Sequence, residues 1–197
     1  MLSQFTSLSG AVILYGLIAR AAAQEPKLPV ENANSKIVLF DGKTLEGWRA
    51  AAFGGSGEVK VEDGAIHLGT GRRMTGITTS RSKLPKLNYE LTYEAQRVEG
   101  SDFFAAATFP VGDAFITLVN GGWGGSVTGL SSLNGADASE NDTTTYVKYK
   151  NNKWYRFKVW VTTEVIRAWV DEKQVIDVAI NGREVKTRIE TRGNQPL

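Results

Sequence analysis

The sequence predicts an all-β fold, a sandwich or jelly roll of two antiparallel sheets, and three observations carry the prediction. Short apolar or alternating runs recur from residue 36 onward, turn residues punctuate them, and no window sustains a helical period with caps. Many short strands joined by Gly-rich turns bury their apolar sides by stacking one sheet on another.

The first residues stand apart from that pattern. AVILYGLIA, Ala11 to Ala19, is a short apolar run followed by the small residues of AAAQ, the layout of a secretory signal over residues 1–23. No Lys or Arg precedes the run, and Arg20 interrupts its end. About nine apolar residues are too few to cross a bilayer. The expectation is a secreted or periplasmic protein whose mature chain starts near Gln24 and has no membrane span. Residues 24–35 read as a polar, Pro-containing linker, and 36–197 as the domain.

The strands follow in order. KIVLF, residues 36–40, reads as a short opening strand and DGKTLEG as its turn. EVKVEDGAIHLG reads as a hairpin, two alternating runs joined at Glu62-Asp63-Gly64, because glycine accepts positive φ. LNYELTYEAQ alternates, with Leu91, Tyr93 and Ala95 on one side and Glu90, Thr92, Glu94 and Gln96 on the other. FFAAATFP and AFITLVN are continuously apolar, as central strands are. WYRFKVWV and VIRAWV form a hairpin around Thr163-Glu164. That turn pairs Phe157, Val159 and Val161 with Val170, Ala168 and Ile166 on an apolar side. On the other side it pairs Trp160 with Arg167 and Lys158 with Trp169.

Composition narrows the function. An apolar content of 42% with 22% charged residues is that of a folded domain rather than a disordered chain. A net charge of +2 argues against nucleic acid as a partner. With no cysteine, disulfides, thiolate metal sites and cysteine nucleophiles are excluded. His67 is the only histidine, which excludes paired-histidine zinc motifs.

LFDGKTLEGW, VEDGAIHLG, NYELTYEAQ and WYRFKVWVTTEVIRAWVDEKQVID occur in that order, and together they resemble the 3-keto-disaccharide hydrolase domain family. The resemblance covers about residues 36–197 and implies a concanavalin-A-like jelly roll, mostly exported, acting on 3-keto sugars by hydrolysis or by lyase and hydratase steps. It also implies that FDGK is architectural, with Trp48 anchoring it. The family's last strand, beyond Pro196-Leu197, is expected to be missing from this chain. The NSGI segment that more typical members carry has no counterpart here.

A ketone at C3 acidifies the proton on C2, so a base can remove it and the C1 substituent can leave. Glu94 is the strand carboxylate expected to act as that base, and His67 the expected proton carrier near neutral pH. Glu90 and Glu94 lie about 13 Å apart along one strand, too far for a retaining glycosidase pair. Asp137, Glu140 and Asn141 crowd the NGADASEND loop as candidate saccharide ligands, with oxygen enough to suggest a hard cation such as calcium. Trp123 in GGWGG, Trp160 and Trp169 are candidate stacking platforms, and Arg72 a candidate partner for a hydroxyl or an enolate. The expected partner is a saccharide. A non-catalytic carbohydrate-binding module is the alternative function.

Overall fold

The structure is a computed structural model that describes residues 36–194. The signal and linker expectations, residues 1–35, lie outside the described residues.

Among the described residues, twelve strands follow the punctuation of the sequence: β1 Trp48–Ala50, β2 Val59–Glu62, β3 Ala65–Leu68, β4 Ile77–Thr79, β5 Tyr89–Gln96 and β6 Ala107–Val111. Then come β7 Ala114–Gly121, β8 Val127–Ser131, β9 Thr145–Tyr146, β10 Trp154–Val161, β11 Val165–Val170 and β12 Lys173–Ala179. A 3₁₀ helix, Ile189–Asn194, ends the described chain. The strands make two four-stranded sheets, in the orders β12-β11-β10-β5 and β6-β7-β8-β9, and two ribbons, β1-β4 and β2-β3. All pairings are antiparallel.

The four-stranded sheets close on one core. Val159, Val161, Ile166, Ala168, Ile176 and Val178 come from the first, and Phe109, Val111, Ile116, Leu118 and Leu130 from the second. An aromatic cluster of Tyr149, Tyr155 and Phe157 continues it, with Tyr93 stacked 5.0 Å from Phe157. Burial pushes the Tyr149 hydroxyl up to about 12, so it stays neutral and shares a 2.9 Å hydrogen bond with Thr128.

The predicted β10–β11 register holds pair by pair, from Phe157 opposite Val170 to Val161 opposite Ile166. The β2–β3 turn is a two-residue turn with both φ positive, Asp63 at 50° and Gly64 at 77°. Two expectations need correction. KIVLF is not a strand: Ile37 and Val38 are exposed, and side chains rather than a ladder hold the segment. Trp48 Nε1 donates to the Leu39 carbonyl at 2.6 Å, and Arg81 Nη1 to that of Val38 at 2.9 Å. Asp41 turns the chain by accepting from the Lys43 and Thr44 amides, both at 2.8 Å, which is the architectural role expected of FDGK. FFAAATFP is likewise not a central strand. Only its end enters β6, at the sheet edge, where Pro110 lacks an N–H to contribute. Its apolar start serves the opposite side of the sheet, as described below.

Candidate functional site

The β6-β7-β8-β9 sheet has two faces, and its outer one is unusually polar for a covered surface. Alternation sends Leu118 and Leu130 into the core, so their neighbours Thr117 and Ser131 point the other way, opposite one another. Thr108 on β6 joins the same row, its hydroxyl 2.9 Å from that of Thr117. Thr117 and Ser131 are nonetheless buried, at 2% and 0% exposure. Buried hydroxyls require partners, and the partners build the site.

Ser131 donates to Asp137 Oδ1 and accepts from Arg188 Nη1 at 3.0 Å. The same Nη1 reaches Asp137 Oδ1 at 2.9 Å. Arg188 Nε and Nη2 hold Glu190, at 3.0 Å to Oε2 and 3.3 Å to Oε1. Of the five guanidinium hydrogens, one on Nη2 has no partner among the described residues. Above this group lie Phe103 and Trp123, their centroids 5.3 Å apart and within 5.7 and 5.5 Å of the guanidinium carbon. Both rings are part-exposed, at 43% and 41%. The result is a half-buried guanidinium between two more exposed carboxylates, under an aromatic rim that is open to solvent.

Local backbone explains each placement. Gly121 and Gly124 at φ 64° and 91° turn the chain sharply, which lifts Trp123 onto the outer face. Asp137 rides on a loop laid flat on β8. A Cβ on Gly129 would stand 2.9 Å from the Ala138 carbonyl, so only glycine allows that approach. Asn141 ties the loop down: its Nδ2 donates to the carbonyls of Leu130 and Asp137, both at 2.8 Å, and its Oδ1 accepts from Thr143. Phe103 is presented by a segment clamped by Arg97, a buried guanidinium with no carboxylate on it among the described residues. Arg97 reaches Asn151 Oδ1 at 2.6 Å, the Asp102 carbonyl at 2.9 Å and the Tyr149 carbonyl at 3.1 Å.

Of the candidates read from the sequence, the structure brings Asp137 and Trp123 together. Glu140 is exposed on the same loop, its amide donating to the Asp137 carbonyl. Asn141 spends both ends of its amide on the loop and on the β8 carbonyl of Leu130. The loop does not gather a cation site among the described residues. Asp142 is held by Arg183 through two 2.7 Å hydrogen bonds, Asp137 by Arg188, and Asn134 Oδ1 by the Glu184 amide. His67 lies on the β2–β3 ribbon with Nε2 3.2 Å from the Glu62 carbonyl, and Arg72 packs over Gly55 in a loop. Neither joins the cluster.

Glu94 stands on the outer face of the other sheet. Arg156 grips its Oε1 through Nε at 2.9 Å and Nη2 at 2.8 Å, beside a shallow depression of about 340 Å³ that Trp154 also lines. On the same face, Lys158 covers the Trp169 ring at 4.1 Å, and the Arg167 guanidinium carbon lies 5.1 Å from the Trp160 centroid. Trp160 is itself buried, with Nε1 unpartnered among the described residues.

Arg188, Glu190, Ser131 and Phe103 were not singled out from the sequence. Arg188 stands 51 residues from Asp137 and carries no motif, so no local signal points to it. Phe103 reads as part of a strand, because FFAAATFP is continuously apolar, and only the structure shows that β6 starts at Ala107.

Residues 35–196 match a family described as the 3-keto-alpha-glucoside-1,2-lyase-like domain. No curated protein and no solved structure matches the chain. The all-β sandwich agrees with the fold that the sequence resemblance implies, and the match runs over the whole of it. The chain therefore belongs to the 3-keto-alpha-glucoside-1,2-lyase-like domain family, which supports a carbohydrate-active function.

Proposed function

We propose that the domain is a lyase that eliminates the C1 substituent of a 3-keto glucoside on the outer face of the β6-β7-β8-β9 sheet. The observation that carries this reading is Arg188, sunk to 16% side-chain exposure and paired with the more open carboxylate of Asp137. Elimination needs a base for the C2 proton and a positive group for the enolate oxygen, and it gains most where water is excluded. The Glu94–Arg156 pair has the same chemistry, but its arginine is 65% exposed and water screens it.

In this reading the sugar lies against Trp123 and Phe103. Oδ2 of Asp137, which takes no hydrogen bond among the described residues, removes the proton on C2. The electrons of the C2–H bond form the enolate, whose oxygen accepts from the uncommitted Nη2 hydrogen of Arg188. Collapse of the enolate makes the C1–C2 double bond and breaks C1–O. The departing oxygen is protonated from water at the open rim. Addition of water to the unsaturated product would complete a net hydrolysis.

The experiment is incubation of the protein in deuterated water with a 3-keto glucoside and, separately, with its unoxidised parent. Expected are release of the C1 alcohol from the keto sugar alone, appearance of a conjugated enone, and deuterium at C2 of recovered substrate. Binding without release or exchange would instead establish a carbohydrate-binding module. Equal release from the parent would sink the elimination, because an unactivated C2 proton cannot be removed this way.

A further inference from the structure

Where the segment after β9 approaches the β11–β12 turn, an open cleft of about 510 Å³ forms, with none of the Arg188 cluster in its lining. Exposure alternates along this segment. Tyr146, Lys148 and Lys150 face out, and Val147 and Tyr149 are turned toward the protein. The three outward side chains therefore succeed one another about 7 Å apart on one wall. Lys173, at the start of β12, contributes to the lining from the other side.

The charges here are not balanced. Lys153 pairs with Asp171 Oδ2 at 3.1 Å, and Asp171 Oδ1 accepts from the Arg156 amide at 3.0 Å, so that carboxylate is spent. Lys148, Lys150 and Lys173 have no carboxylate partner among the described residues, and Glu172 is the one unpaired acid in the lining. Three like charges gathered around one cleft repel each other, and Tyr146 beside them is left 70% exposed. A folded chain gains nothing internal from that arrangement.

We infer that this cleft docks an acidic saccharide, a glycan carrying carboxylate or sulfate groups. Lys148, Lys150 and Lys173 meet the anions, and Tyr146 lies against a sugar face. A basic cleft with an exposed ring suits alternating charge and pyranose surface. A phosphate backbone calls for a longer basic track than these lysines supply, and the whole chain carries only +2. Docking here would hold a polymer while the Arg188 cluster works elsewhere, yet the cleft binds whether or not that cluster turns anything over.

The test is calorimetric titration of the full chain with polygalacturonate, dextran sulfate, neutral dextran and single-stranded DNA. At least one of the two acidic polymers should bind while dextran does not, and which one binds tells carboxylate from sulfate. Raising salt from about 0.1 M to about 1 M shortens the screening length from about 10 Å to about 3 Å and should abolish that binding. The double variant Lys148→Glu, Lys150→Glu should weaken it about tenfold or more, because two attractions become repulsions. Tyr146→Ala should weaken it by a smaller factor. Dextran binding as well as the acidic polymers, no binding by either acidic polymer, DNA binding as tightly as they do, or an unchanged double variant would each overturn the assignment.

Discussion

Asp137 holds one carboxylate oxygen against Ser131 and Arg188, and its side chain is 39% exposed. Under the proposed mechanism, Asp137→Asn preserves the shape and removes the base, so turnover should fall at least about a hundredfold. Glu94→Gln breaks only an exposed ion pair and should leave turnover within a few-fold. Rate measurements on the two variants separate the two faces of the sandwich, and the reverse ranking would move the chemistry to Glu94. A neighbouring carboxylate has a different task. Hydrogen bonds from Arg183 hold the Asp142 carboxyl below its usual 3.8. A carboxylate with a depressed folded value contributes stability above its unfolded value, and that contribution is lost as the pH falls through the folded one. The melting temperatures of wild type and Asp142→Asn should therefore differ most at neutral pH and converge below pH 3.8. A gap that persisted at low pH would show that the charge of Asp142 is not what tethers Arg183.

At the scale of the element, the site depends on a segment that contributes little chemistry itself. Arg97 spends its guanidinium on one side-chain and two carbonyl oxygens, which fixes the segment presenting Phe103. Arg97→Met fills similar volume but leaves those acceptors unmet, a loss of about 2–4 kcal/mol by the usual cost of orphaned buried groups. Chemical denaturation measures it; a loss below about 0.5 kcal/mol, the range of ordinary surface changes, would mean that water replaces the guanidinium. The β10–β11 hairpin illustrates how position within an element sets a residue's role. Trp160 and Trp169 share one face, but only Trp160 is buried. Trp160→Ala should cost about 3 kcal/mol or more, as deletions of buried aromatics do, and Trp169→Ala distinctly less. Equal losses would contradict that difference in burial.

Across the whole molecule, the two four-stranded sheets share one continuous core, and each covers the inner apolar face of the other. The domain should therefore unfold in a single transition. Tryptophans report on both sides: Trp160 and Trp169 on one sheet, Trp123 beside the other. Their fluorescence and far-ultraviolet circular dichroism should give coincident denaturation curves; separated midpoints would show the sheets melting independently. The polar outer face with its buried Ser131 and Thr117 lies opposite that core, and Ser131 bonds it to the loop that carries Asp137. Closeness of loop to sheet at Gly129 makes stability and the site inseparable there.

The sequence by itself determined the all-β class, the β2–β3 and β10–β11 turns, and which side of β5 and β10 faces inward. Those features follow from period-two alternation and from turn residues, both of which act over a few residues and are written locally. It also carried the family resemblance, and two members of the cluster, Asp137 and Trp123, stood among its candidates. Only the tertiary structure decided that they meet. Asp137 and Arg188 are joined across 51 residues because a glycine lets one loop lie flat on β8 and backbone hydrogen bonds tie residues 184–186 to 132–134 beside it. The same distance rule explains the misread opening. KIVLF has the apolar composition of a strand, but a strand exists only where another supplies its hydrogen bonds, and here side chains of Trp48 and Arg81 do so instead.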